Sequence, residues 1–265
     1  MVSALTDRET SGNPAFGSKA ATALFAGSAP RSMTVGGTAF KTLFFLVVLI
    51  GGGAWGWASA TTPVPTDLGG GYGNTTVTIP GGFWIASFAA LFVGIVVTVN
   101  PRRAALLGVV YAVLQGYCLG AISAAFNAQT DGIVAAAILS TIGVFFVALL
   151  LYVTRIVKPT QKLAFAVIAG MGGLALLYLF VWVLAIFNWE FLYSDEFRTV
   201  GIIVTVLAVI LAALSLTLDF AFIEASVEGG APKFLEWYAA YGLMVTIIWL
   251  YITLLRLFAL IARNQ

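Results

Sequence analysis

The chain alternates long apolar stretches with short polar segments, and seven of the apolar stretches are long enough to cross a membrane. A helix needs about 20 mostly apolar residues to span the hydrocarbon core. In lipid the backbone polar groups must be satisfied within the segment, which favours helices over open strands. The second stretch is the shortest, and its true start can lie earlier. The predicted spans are 39–59, 82–99, 104–126, 132–153, 163–187, 199–223 and 238–262.

Composition supports an all-α integral membrane protein that has almost no soluble domain. Hydrophobic residues make up 61% of the chain and charged residues 9%, whereas a soluble domain carries about 25% charged residues. The main partner is therefore the lipid bilayer. The net charge of +2 is small and the basic residues do not cluster, so no nucleic-acid partner is expected.

The chain divides into an N-terminal tail, residues 1–38, and a transmembrane domain, residues 39–265. The tail is rich in Gly, Ala, Ser and Thr with scattered charges, and it lacks the apolar core and cleavage site of a secretory signal. We interpret it as cytoplasmic, with one short surface helix over residues 19–25. Residues 60–81 contain the prolines and glycines typical of an irregular loop.

Basic residues alternate from loop to loop, as the positive-inside rule expects. They occur in the tail, the 100–103 turn and the 154–162 loop, whereas the loops 60–81 and 127–131 have no Lys or Arg. This predicts a cytoplasmic N-terminus and, after seven spans, an outside C-terminus. Arg256 and Arg263 near the end oppose that orientation mildly, and a re-entrant last segment is the alternative.

Missing residue types exclude several kinds of chemistry. The chain has no histidine, and Cys118 is its single cysteine. Imidazole-ligated haem or zinc, a Ser-His-Asp triad and an intrachain disulfide are therefore excluded. A bound metal would need oxygen ligands, which favours calcium, magnesium or monovalent cations. We expect no cofactor, no tightly bound transition metal and no enzymatic activity.

Glycines within the spans predict close helix packing, because small residues let backbones approach in lipid. A backbone-lined pore is the alternative. The glycines in question are Gly51, Gly52, Gly53, Gly116, Gly120, Gly170, Gly172 and Gly173.

Asp219 is the most unusual polar residue because it lies within the sixth span. If that helix emerges near Glu224, the carboxyl is about 7.5 Å deep at 1.5 Å per residue. Such an acid is costly, so it faces the bundle interior, finds a partner or takes up a proton. The functional reading is a proton or ion sensor, and the alternative is a static salt bridge or an acid at the helix end. Arg102 and Arg103 lie at the same predicted surface and are candidate latch partners.

Other polar residues extend this candidate site. Thr246 and Gln115 lie about 12 and 16 Å from the inner end of their helices, and both can continue a polar path from Asp219 towards the middle of the membrane. Glu224 and Glu228 share one helical face. They are either part of the site or a solvated helix end that Gly229 and Gly230 terminate.

Several segments together resemble the Bax inhibitor-1-like family, also called transmembrane Bax inhibitor motif proteins, and in particular its bacterial branch. The resemblance extends over the whole chain and is strongest in the second half. Its most distinctive piece is GAPKFLEWYAAYG. The segments are Asn13-Pro14-Ala15-Phe16, LQGYCLGAISAAF (114–126), LDFAFIEASVEGGAPKFLEWYAAYGLMVTIIWLY (218–251) and LLRLF (254–258).

The resemblance implies six helices around a central seventh in a bacterial plasma membrane. It also implies a pH-sensitive calcium leak controlled by acids on the last two helices, or modulation of a membrane protease or another membrane complex. Asp219 resembles the sixth-helix acid, whereas Thr246 occupies the seventh-helix position and cannot ionise. Relatives often have acids where this chain has Gln115, Ala221 and Thr253. This chain therefore has one deeply placed acid where a pair is expected.

Overall fold

The computed structural model describes residues 32–65, 72–187 and 195–262, which form seven α-helices and one two-stranded β-hairpin. A 3-10 turn at Pro101–Arg103 joins the second and third helices. In chain order the helices are α1 (Val35–Ala60), α2 (Phe83–Val99), α3 (Ala104–Asn127), α4 (Ile133–Val153), α5 (Gln161–Phe187), α6 (Asp195–Glu228) and α7 (Leu235–Ala262).

The prediction of seven apolar helices is confirmed. Six of them are long and apolar enough to cross a membrane, and α2 has 17 residues. At 1.5 Å per residue α2 is about 26 Å long, slightly less than the hydrocarbon core of about 30 Å. It begins at Phe83, so it does not start before the predicted first residue, 82. The last helix is continuous over 28 residues, which favours a spanning segment over a re-entrant one.

The prediction of an irregular loop over 60–81 is wrong at both ends of that segment. Strand β1 (Thr61–Pro65) pairs antiparallel with β2 (Tyr72–Val77), with a register shift between Pro63 and Pro65. The β-branched residues of these stretches favour extended backbone. The hydroxyls of Thr62 and Thr76 lie 2.9 Å apart across the strands, a pairing that adds to the stability of the hairpin.

Glycines pack α1 directly against α3, as predicted. A Cβ added at Gly52 would lie 2.7 Å from the carbonyl oxygen of Val113, and one at Gly56 or Gly120 would overlap backbone atoms of the opposite helix. These contacts favour close packing over a pore at the α1–α3 seam. The packing prediction is wrong for the positions where an added Cβ meets no atom within 4 Å, namely Gly51, Gly172 and Gly173.

Helix α7 supplies much of the core. It packs against α1, α3, α4 and α6, and its Met244 and Leu250 side chains are fully buried. By contrast, α5 contacts mainly α6 and exposes most of its apolar side chains, as lipid-facing residues do. The arrangement of six helices around a central seventh stays a prediction.

The end of the N-terminal tail docks on the connection between α6 and α7. The backbone N–H of Met33 donates to the carbonyl of Ala231 at 2.8 Å, and Ser32 forms a bridge with Pro232. Thr34 caps α1 by accepting from the N–H of Gly37 at 3.0 Å. The predicted surface helix over residues 19–25 lies outside the described residues.

Candidate functional site

Three segments meet at one end of the bundle: the end of the tail, the 100–103 turn and the α6–α7 connection. Met33 is bonded to this connection, and the guanidinium of Arg102 lies 5.8 Å from the ring centroid of Phe234 within it. The alternation of basic residues from loop to loop predicts that these three segments lie on the same side of the membrane. The structure brings them together at one end of the bundle.

Asp219 opens into a cavity near this end of the bundle, between α2, α6 and α7. We call it the Asp219 cavity; its volume is 380 Å³. The Oδ2 atom of Asp219 is shielded from solvent and has no hydrogen-bond partner within the described ranges. The hydroxyl of Thr246 faces the carboxyl. The lining comprises Thr98, Asp219, Phe222, Tyr238, Ala239, Tyr241, Gly242, Val245 and Thr246.

Gln115 lines a second, adjoining cavity of 580 Å³, which we call the Gln115 groove. It follows α2 from Phe83 to Val99, about 24 Å at 1.5 Å per residue. Thr98 and Tyr241 line both cavities. The predicted polar path therefore has a structural counterpart: Asp219 and Thr246 share one cavity and Gln115 lines the next.

The Arg102 and Arg103 latch on Asp219 is not formed. The ion pairs within the described ranges are Lys41–Glu236 and Arg155–Glu224, so Asp219 joins neither. Arg102 instead lies over Phe234, where a cation–π contact holds it at the end of the bundle. Neither arginine lines the Asp219 cavity. The prediction from sequence assumed that both arginine side chains could turn towards Asp219. For Arg102, the contact with the Phe234 ring competes with that orientation.

Glu224 lies outside both cavities and links the ends of α4 and α6. It accepts a hydrogen bond from the hydroxyl of Tyr152 and one from Arg155 at 3.2 Å. Arg155 follows the end of α4 with a positive φ of 58°, a conformation uncommon for residues other than glycine. Glu224 is therefore partnered, and α6 continues beyond it to Glu228 before Gly229 and Gly230 end the helix.

Glu236 is a buried acid that the sequence reasoning missed. It is 0% exposed and pairs with Lys41 of α1. It also accepts from the N–H of Thr34 at 2.9 Å and from the Thr34 hydroxyl at 3.0 Å. The available signal was Lys41 itself, a cation in the first predicted span with no assigned partner.

The described ranges contain no cluster of side chains suited to hold a metal ion. Within 32–65, 72–187 and 195–262, no three His, Cys, Asp or Glu side chains come together. Cys118 lines the Gln115 groove, and its sulfur lies 3.2 Å from the hydroxyl of Ser87. Among the described residues, Asp219 is the only carboxylate that lines either cavity.

This fold and site define a multi-pass α-helical membrane protein in which Asp219 lines a cavity and, within the described residues, its Oδ2 atom has no hydrogen-bond partner. The sequence profile of the Bax inhibitor 1 like family matches residues 13–263. The chain therefore belongs to that family. Among curated proteins, none matches the chain at a significant level.

Proposed function

We propose that this protein is a pH-responsive cation leak, with calcium as the favoured ion and Asp219 as the sensor. The observation that carries the proposal is Asp219, which lines a cavity and whose Oδ2 atom is shielded from solvent and has no hydrogen-bond partner in the part of the chain that the structure describes. A carboxylate in this position responds to a proton or a cation, because either one supplies the missing partner.

The surroundings of Asp219 leave that response to a single acid. The other titratable groups lining its cavity are Tyr238 and Tyr241, both on α7. From α2 the cavity receives Thr98, which is neutral. The two ion pairs of the described ranges, Lys41 of α1 with Glu236 of α7 and Arg155 beside α4 with Glu224 of α6, do not include Asp219. Among the described residues, no second acid lines the Asp219 cavity.

The donor set suits weak, transient cation binding. Calcium prefers six to eight oxygen ligands, and the Asp219 cavity offers one carboxylate with the hydroxyls of Thr98 and Thr246. Conduction requires an ion to enter a site and to leave it again. A single carboxylate with a few hydroxyls meets that requirement better than a tight site would. We propose that the protein uses no cofactor and catalyses no reaction.

A non-transporting interaction protein is the second candidate. Thr246 stands where the family resemblance implies a second acid, and this loss favours a role other than conduction. Such a protein would modulate a membrane protease or another membrane complex by binding it through lipid-facing helices.

Flux through the purified protein discriminates between the two functions. The protein is reconstituted into liposomes that enclose a calcium indicator, and entry of calcium or a monovalent cation is followed from about pH 8 to pH 5, with protein-free liposomes as the control. We expect a cation flux that changes with pH. Absence of flux at every pH would remove the leak and leave the interaction function.

We further propose that the protein resides in a bacterial plasma membrane with its N-terminus in the cytoplasm. The distribution of basic loop residues supports this orientation. Single cysteines introduced near Thr34 and near Ala262, in a Cys118→Ala background, should label from the cytoplasmic and the outer face respectively. Cytoplasmic labelling near Ala262 would contradict the seven-span orientation.

A further inference from the structure

The Gln115 groove opens sideways to lipid along α2. Leu91, Ile95 and Val99 line it and are each more than half exposed, so its wall is continuous with the lipid-facing surface of the bundle. These three residues span about 12 Å at 1.5 Å per residue. One leaflet of the hydrocarbon core is about 15 Å thick, half of the full core. The part of the groove from Leu91 to Val99, which we call the Val99 half, therefore matches the depth of an acyl chain in one leaflet.

The walls of the Val99 half are apolar although hydroxyl-bearing residues line them. The hydroxyls of Thr98 and Tyr241 both donate to the carbonyl oxygen of Gly94, at 2.9 and 3.5 Å. The ring of Tyr111 packs edge-on against the Tyr241 ring, with centroids 5.1 Å apart. Because backbone occupies the hydroxyls of Thr98 and Tyr241, these side chains present mainly methyl and ring surface to an occupant. A hydrocarbon chain is suited to such a surface.

Two arginines lie just beyond this end of the groove. Arg102 and Arg103 follow Val99 by three and four residues and belong to the 3-10 turn Pro101–Arg103, which rises only about 2 Å per residue. Both side chains are exposed, and within the described ranges neither joins an ion pair. Because the apolar helix α2 ends at Val99, the turn that follows lies at the level of the lipid headgroups.

The contact between Arg102 and Phe234 leaves this arginine able to bind an anion. The guanidinium carbon lies 5.8 Å from the ring centroid. A guanidinium is planar, so it can stack on an aromatic ring while its N–H edge donates to a phosphate. Arg103 adds a second positive charge next to it in the chain. The turn is therefore suited to a lipid phosphate, with an apolar groove beside it for the chain.

We propose that the Val99 half of the Gln115 groove binds one acyl chain of an anionic phospholipid, whose headgroup Arg102 and Arg103 hold. Basic residues at the ends of transmembrane helices attract the anionic lipids of the facing leaflet. The groove supplies depth and apolar surface, and the two arginines supply the preference for a negative headgroup over a zwitterionic one. The inference is independent of the proposed cation leak.

Photo-cross-linking in proteoliposomes tests this site. The probe is phosphatidylglycerol with a diazirine on its acyl chain, present as a minor component of phosphatidylcholine vesicles, and mass spectrometry locates the cross-linked residues. A phosphatidylcholine probe with the same chain is the comparison. At equal mole fraction we expect the anionic probe to label residues 91–99 at least about fivefold more than the zwitterionic probe, the preference expected from one basic residue near the membrane surface.

Charge variants test the headgroup contact. The double variant Arg102→Gln with Arg103→Gln should lose the preference for the anionic probe, whereas Arg102→Lys with Arg103→Lys should retain most of it because both charges remain. Lys158→Gln with Lys162→Gln is the matched control. It removes two exposed basic residues near the connection between α4 and α5, neither of which lines the groove, and should keep the preference of the wild type.

Filling the groove tests the position of the chain. Ile95→Trp adds bulk at an exposed residue that lines the Val99 half. We expect this variant to reduce labelling by the anionic probe to the level of the zwitterionic probe. Phe92→Trp is the control, because Phe92 is similarly exposed on α2 and does not line the groove. It should be labelled as the wild type is.

The outcomes separate a lipid site from ordinary bilayer contact. Loss of the preference in the arginine variant but not in the lysine control supports the site, even if the wild type conducts no cation. Equal labelling of the wild type by the two probes overturns it, because the groove would then hold any bilayer lipid. Equal loss in both charge variants also overturns it, since the preference would reflect general surface charge. Unchanged labelling of Ile95→Trp would place the chain outside the groove and overturn the site.

Discussion

The two sides of the bundle treat polar groups and space in opposite ways. On one side, α1 packs on α3 through glycines, and Glu236 is fully buried with Lys41 and Thr34 as partners. On the α2 side, α2, α6 and α7 line the Asp219 cavity, and α2, α3 and α7 line the Gln115 groove. Within the described residues, the Oδ2 atom of Asp219 has no hydrogen-bond partner. The carboxylate of Glu236 is therefore fully partnered, whereas that of Asp219, which is only partly buried, has one oxygen without a hydrogen-bond partner among the described residues. We propose that this difference separates a structural acid from a functional one.

Substitution of the partnered acid Glu236 should cost the most stability. Glu236→Gln leaves Lys41 without a counter-charge, and breaking a buried ion pair costs about 3–5 kcal/mol. Equilibrium unfolding of the purified protein in mixed micelles measures this loss. The double variant Lys41→Met with Glu236→Met removes both charges and should recover most of it. A single variant as stable as the wild type would show that the pair is not structural.

The glycine seam between α1 and α3 should show the next largest effect. Gly120→Ala places a methyl group against the backbone of Gly53 and Trp57, and overpacking of this kind costs about 1–3 kcal/mol. Gly172→Ala is the control, because an added Cβ there meets no atom within 4 Å. The same unfolding assay compares the two variants. Equal stability would mean that the seam relaxes without cost.

Removing the charge of Asp219 or of Glu224 should cost little stability. Asp219→Asn removes a charge without breaking an ion pair, so we expect its unfolding free energy to stay within about 1 kcal/mol of the wild type or to increase. Glu224→Gln should also lose less than about 1 kcal/mol, because its partner Arg155 is largely exposed. A large destabilisation by Asp219→Asn would identify Asp219 as a structural acid and remove the contrast with Glu236.

Much of the fold was predictable from local pattern. The number and approximate positions of the helices can be predicted from hydropathy over windows of about 20 residues. The end of α6 can be predicted from Gly229 and Gly230. The hairpin was missed because the prolines and glycines of the segment obscured the Thr and Val pairs. The sequence does not show which glycines lie at a helix contact. Gly52 lies against the backbone of Val113 in α3, whereas a Cβ added at Gly172 would meet no atom within 4 Å.

The candidate site was predictable in part. Asp219 stands out as an acid within an apolar run, and the helical rise placed Thr246 near it. The pairing of Lys41 with Glu236 joins residues 195 positions apart, which one sequence does not reveal. Tyr241 lines both cavities, and nothing in the sequence pattern indicates that position.

The most direct test of the central claim is the pH dependence of cation flux in Asp219→Asn proteoliposomes, measured from about pH 8 to pH 5 beside Glu224→Gln. Asn cannot titrate, so we predict a flux in Asp219→Asn that no longer changes with pH. Glu224→Gln, which alters a partnered acid outside the cavities, should keep the wild-type profile. An Asp219→Asn protein that retains the wild-type pH dependence would show that Asp219 is not the sensor.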